Sequence, residues 1–174
     1  AHAMRAIGPD ETSDVVEHAL SVIGARLLAE TLDAIASGLW HEEGQDDSEA
    51  TYAARLTKED GVIDWTSPAP AIHNRIRGLH PWPHAFTFHD GKRLILLRSM
   101  IEAHEASLSA EARSAKEERP GVIVEAAGDR LVVGTGSGRL RLTDLQAEGR
   151  RPMSVRDFLA GHRLAIGDRL AAAP

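Results

Sequence analysis

The chain contains no cysteine, so neither a disulfide framework nor a thiolate zinc site can hold it together. Aromatic residues make up only 4% of it, too few for extensive stacking on nucleobases. No apolar run approaches the roughly 20 residues that a membrane-spanning helix needs. Ala1-His2-Ala3-Met4 is not a basic stretch followed by an apolar one. It is therefore expected to be a cloning remnant rather than a signal peptide. Asparagine occurs once, at Asn74. Apolar residues are plentiful, 43% of 174, enough for one packed domain and an extra element. The lack of cysteine and of targeting segments fits a cytoplasmic protein, with no membrane partner expected.

Acid exceeds base, for a net charge of −6. The excess is confined to one end. Residues 1–54 carry two basic and eleven acidic side chains, and residues 55–174 carry eighteen basic and fifteen acidic. Such asymmetry points to two segments with different partners.

The segment 13–36 reads as one amphipathic helix, with Val16, Leu20, Ile23, Leu27 and Ile35 near one face. Thr12, Ser13 and Asp14 offer N-caps, and Gly38 a stop. Residues 41–51 are polar, acidic and aperiodic, a linker composition. Residues 67–78 predict a short helix with Ser67 as N-cap and Pro68 in its first position. Pro81-Trp82-Pro83 then forces an extended turn.

Beyond it the pattern becomes β. Strands at 85–89 and 93–100 flank Asp90-Gly91, a hairpin signal. Residues 102–119 predict a surface loop or a frayed helix. Further strands are expected at 121–125, 131–135 and 139–145, and a last one at 166–170. Ser154 opens a short helix that Gly161 closes. The fold class is therefore mostly β with helices: an OB-like small β-barrel, closed or partly open, preceded by a long amphipathic helix and a linker. The expected boundaries are 1–40 for the remnant and helix, 41–66 for the linker, and 67–174 for the barrel domain.

Catalytic signals are weak. His80 and His84 are four apart, but two prolines intervene and no carboxylate completes a metal set. Exposed or packing histidines are the favoured reading, and no metal is expected. Gly134-Thr135-Gly136-Ser137-Gly138 fits neither phosphate-loop spacing and reads as a hairpin turn. Trp65 and Trp82, each beside a turn, are expected to pack in the core or a hinge. Arg139 and Arg141 share a strand face. With the other basic residues they read most simply as a solvated surface with local ion pairs.

Five strings carry more information than composition does: AIGPDET near the start, SEATYAARLTKEDGVIDW, AIHNRIRGLHPWPHAFT, PGVIVEAAGDRLVVGTGSGRLRL and LQAEGRRPMSVRDFLAGHRLAIGDRL. In this order they resemble the methionyl-tRNA formyltransferase family. Other folate-dependent formyl enzymes, the formyltetrahydrofolate dehydrogenase and the sugar-nucleotide formyltransferase of lipid A modification, carry a version of the IHN…PWP string. GRRPMS separates the chain from them best.

The resemblance implies an enzyme that moves a formyl group from 10-formyltetrahydrofolate to methionyl initiator tRNA. It implies that the catalytic Asn, His and Asp lie in a Rossmann-like domain preceding this segment. Asn74 lies in the IHN string and not in that motif, so this chain alone is expected to be inactive and to bind no cofactor. The helix 13–36 would close the catalytic domain, and the OB-like domain would help hold tRNA. The residues expected to touch tRNA are Arg150 and Arg151, in a loop bounded by glycine and proline, then Lys58, Arg75 and Arg77. No DNA partner is expected. A stand-alone OB-type nucleic-acid-binding module is the alternative from another class, and the C-terminal domain of another folate-dependent formyltransferase or dehydrogenase is the second alternative.

Overall fold

The computed structural model describes residues 1–102 and 119–173, so most of the predicted loop or frayed helix at 102–119 lies outside the described residues. The chain divides into two compact units, Ala1–Leu56 and Thr57–Pro174.

The first unit is built on α1, Ser13–Ala36. Thr12 occupies the N-cap, but its hydroxyl donates to the Asp14 carboxylate instead of accepting from the helix. Gly38 takes a positive φ of 70° and ends the helix as expected. No residue of α1 is buried. Val16, Ala19, Ile23, Leu27, Thr31 and Ala34 form a half-buried stripe. Val22, Leu28, Leu32 and Ile35 are each at least half exposed. The apolar residues of this helix thus extend well beyond what its own unit covers. Residues 41–51 are exposed, with one short 3-10 turn at Asp47–Glu49 capped by Asp46.

Among the described residues, the second unit is an antiparallel sheet with two α-helices. Its strands are β1 (Ala85–His89), β2 (Lys92–Glu102), β3 (Ile123–Ala127), β4 (Arg130–Gly134), β5 (Arg139–Ala147) and the two-residue β6 (Met153–Ser154). The order is β1-β2-β5-β4-β3, and β6 also pairs with β5. Asp90 and Gly91 both adopt positive φ, the geometry a two-residue primed turn needs, and His89 pairs with Lys92. Register shifts between Leu96 and Ser99 mark bulges that bend β2 against β5.

The sheet is not closed into a barrel. The segment expected to form a last strand makes only isolated bridges, Phe88 with Ala171 and Val122 with Arg169. Gly167 at φ 96° and the Asp168 carboxylate, which accepts from Ala165 N, fold it into a turn that breaks regular pairing. It still satisfies both sheet edges: Ala171 and Phe88 exchange bonds of 2.9 Å, and Leu170 N donates to Gly121 O at 2.8 Å.

Apolar side chains alternate inward along these strands. Ile123, Leu131, Val133, Leu140, Leu142 and Leu145 are fully buried. Helix α2 (Ala69–Gly78) adds Ile72 and Ile76, and α3 (Val155–Gly161) adds Val155 and Phe158. Each such side chain contributes at most about 1.5–3 kcal/mol. Ser154 caps α3 by accepting from Asp157 N at 3.2 Å. Ser67 does not cap α2. Pro68 takes that position, and the first helical amide, Ala69 N, donates 3.0 Å to Ser137 O from the turn between β4 and β5. The GTGSG string is therefore a turn, as expected, and one that closes the start of a helix.

Trp65 is buried and donates from Nε1 to Thr87 Oγ1 at 3.0 Å. Trp82 is 54% exposed, against the core or hinge packing expected of it. Its turn closes on itself through His84 N to Leu79 O at 2.9 Å. Prolines flank Trp82 on both sides.

Candidate nucleic-acid interface

The antiparallel register assembles the basic residues. Leu94 of β2 pairs with Ala147 of β5. That pairing sets Lys92 and Arg93, just after the hairpin turn, beside the Glu148–Arg150 segment that follows β5. The end of α3 and the residues after it, Gly161 to Leu164, complete a surface cleft of about 560 Å³. Lys92, Arg150 and Arg163 supply three cations, with His89 and His162 beside them, against Asp90 and Glu148; Arg93 also lines the cleft, but its charged end turns to Phe86, on the other face of the β1–β2 pair.

The fold positions Arg93, the backbone of Arg150 and His89. The Arg93 guanidinium lies 3.8 Å over the centre of the Phe86 ring, a contact that holds it flat without neutralising it. Gln146 Nε2 donates to Arg150 O at 2.7 Å and fixes the backbone of that loop. His89 Nε2 stands 3.4 Å from Asp168 Oδ2. On the sheet surface, by contrast, Arg141 meets Asp129 at 2.8 Å and Arg130 meets Glu125 at 2.7 Å. Those arginines spend their charge locally, as the solvated-surface reading had it.

The five residues singled out from sequence do not form one site. Arg150 lines the basic cleft, and Arg151 beside it is exposed but is not among the lining residues. Lys58 is exposed on the turn that opens the second unit. Arg77 donates from Nε to Asn74 Oδ1 at 2.8 Å. Arg75 donates from both Nε (3.0 Å) and a terminal nitrogen to Asp60 O, and it lines a separate hollow of about 260 Å³ with Ile63, Ser67 and Ile72. The Asp60 carboxylate is itself held below the usual range, chiefly by Thr57 N–H and then by the Thr57 hydroxyl. Arg75 thus fastens α2 to the 3-10 turn Glu59–Gly61.

Sequence reasoning singled out neither Arg163 nor His162. For His162 a signal exists: it follows Phe158 by four residues, the spacing that brings helical side chains into contact. For the others, only the β2–β5 register reveals the grouping.

His80 and His84, separated by two prolines, still come together. Their rings stand 5.3 Å apart at 55°. Burial pushes the His84 imidazole below its ordinary pKa, and His80 and the Arg93 cation add to the effect. Among the described residues no three His, Cys, Asp or Glu side chains gather as a metal site.

Comparison with known proteins places this architecture. The family model described as "Formyl transferase, C-terminal domain" matches residues 55–163. A methionyl-tRNA formyltransferase of Heliobacterium modesticaldum is 41% identical over 94% of the chain, and one of Geobacter metallireducens is 43% identical over the same share. The chain spans about half the length of each, 51% and 49%. Among solved structures, a variant of HypX from Aquifex aeolicus superposes over 90% of the chain and 27% of its own length with a TM-score of 0.62 at 13% identity. Another HypX structure, in complex with tetrahydrofolic acid, gives 0.53 at 16% identity. These two likenesses concern the fold alone. Matched by the family model over more than half its length, with these relatives near 40% identity, the chain belongs to the formyl transferase C-terminal domain family.

Proposed function

We propose that this chain is the tRNA-docking, C-terminal part of a cytoplasmic methionyl-tRNA formyltransferase. The whole enzyme would carry a formyl group from 10-formyltetrahydrofolate to the amino group of methionyl initiator tRNA. The observation that carries this reading is the cleft of Lys92, Arg150 and Arg163 in a chain that aligns over nearly all its length with enzymes of that name.

The cleft's chemistry suits a phosphodiester backbone. Three cations against two carboxylates leave a local positive excess on a chain that is acidic overall. Binding there would release the counterions condensed on RNA and hold the substrate by its shape and phosphates. Transfer itself needs a base to deprotonate the amine and donors to stabilise the oxyanion. Those groups and the formyl donor belong, in this reading, to the catalytic Rossmann-like domain. Asn74 is engaged by Arg77 on the surface of α2. The exposed apolar residues of α1 support such a domain as their partner, because a self-contained binding module has no use for them.

A filter-binding titration with initiator tRNA at two salt concentrations tests the reading. Arg150→Ala should weaken binding and reduce the salt slope by about one. Equal affinities and slopes for wild type and variant would return the cleft to ordinary surface. The chain alone, given formyl donor and methionyl-tRNA, should form no formylated product; turnover would show that catalytic groups were misassigned.

A further inference from the structure

Of the rings that line the cleft, that of His162 lies flat on another. His162 follows α3, four residues after Phe158, and its ring lies on the phenyl ring with centroids 4.2 Å apart and planes 7° apart. Its Nδ1 is 3.1 Å from Phe158 O and donates to it. That bond leaves the proton on Nδ1 and stops rotation of the ring. Phe158 is only 5% exposed and belongs to the core with Leu145 and Val155. His162, however, remains exposed and lines the cleft. The hydrogen bond alone would close the end of the helix. The parallel stacking does something more: it makes a rigid π surface, backed by the core on one side and facing the cleft and solvent on the other.

We propose that His162 is a stacking platform for an unpaired nucleobase of the docked RNA, with Lys92, Arg150 and Arg163 holding the phosphates around it. The proposal rests on the docking function given above and specifies what part of an RNA the cleft takes. A base inside a duplex has both faces covered by its neighbours. Only a nucleotide in a loop, a bulge or an end has a face to offer. A ring already fixed in place loses little freedom on stacking, so most of the contact appears as affinity. Because every base has a π face, the platform tolerates sequence and selects for single-strandedness.

The test uses the full chain with two probes, a short oligoadenylate and a blunt RNA duplex of equal length, each titrated at two salt concentrations. His162→Ala should weaken oligoadenylate binding roughly fivefold or more, and leave duplex affinity and both salt slopes unchanged. His162→Gln can still donate to Phe158 O but has no ring, and should behave as His162→Ala. His162→Phe should retain the preference for the single strand. If His162→Ala and His162→Gln bind both probes as wild type does, or lose both equally, the platform is overturned. If Arg150→Ala lowers affinity while the His162 variants do not, docking stands and the platform alone falls. If the wild-type chain binds neither probe, both readings fall together.

Discussion

A β-carbon on Gly136 would sit 1.7 Å from the carbonyl oxygen of Thr66. The turn between β4 and β5 lies this close because Gly136 N donates to Ser67 O while Ser137 O accepts from Ala69 N, both at 3.0 Å. The obstacle is backbone on both sides, so no side chain can swing away. Gly136→Ala should therefore destabilise the second unit by about 1–3 kcal/mol, as overpacking does, with a lower midpoint in urea. Gly78→Ala, at the end of α2 with nothing within 4 Å, should be neutral or stabilising by up to about 1 kcal/mol. Equal midpoints for the two variants would mean that the turn is free to move off the helix.

The buried pair Trp65 and Thr87 gives a second expectation. Thr87 is fully buried; its hydroxyl accepts from Trp65 Nε1 and donates to Ala171 O at 2.8 Å. Thr87→Val keeps the shape but leaves an N–H and a carbonyl without this partner, at a cost of roughly 1–3 kcal/mol. Trp65→Phe removes the donor as well. In a double-mutant cycle the two changes should couple by about 0.5 kcal/mol or more. Strict additivity would show that the indole bond contributes nothing.

His84 makes stability depend on pH. Burial, with the help of His80 and Arg93, lowers its folded-state pKa, while the unfolded chain keeps the ordinary value of about 6.5. The unfolded state therefore takes up the proton first as pH falls. Stability contributed by neutral His84 is complete above the unfolded pKa, and declines as pH drops from there through the folded one. His84 also has a positive φ of 66°, which asparagine tolerates. In His84→Asn the loss of stability between neutral pH and pH about 5 should be shallower than in wild type. Parallel stability profiles would place the proton uptake elsewhere.

The sequence reveals structure where the cause is local. The limits of α1, the Asp90-Gly91 hairpin and the Ser154 cap each follow from residues within a turn of one another. The cap of α2 does not, because the oxygen that closes it comes from Ser137, nearly seventy residues after Ala69. The basic cleft is hidden for the same reason. Arg150 and Arg151 are adjacent in sequence, yet only Arg150 lines it, beside side chains from β2 and from the end of α3. Counting Phe, Trp and Tyr also overlooks the one ring that matters there. His162 becomes a rigid plane only because Phe158 lies beneath it.

Arg75 and Arg150 should separate structure from binding. Both are arginines with exposed side chains, and sequence offers no means of ranking them. In the fold, Arg75 gives two donors to the carbonyl of Asp60 and so ties α2 to the turn that begins the second unit. Its hydrogen-bonding capacity is partly used before any ligand arrives. Arg150 has its backbone carbonyl fixed by Gln146 and its side chain on the cleft. Arg75→Ala should thus lower the urea midpoint while leaving the salt slope of tRNA binding as in wild type. Arg150→Ala should do the reverse, with an unchanged midpoint and a slope reduced by about one. Arg75→Lys keeps the charge but cannot reproduce the two-donor grip on a single oxygen, so it should resemble Arg75→Ala in stability. A reduced salt slope in Arg75→Ala, measured where the protein is still folded, would place this arginine against RNA and widen the interface beyond the cleft.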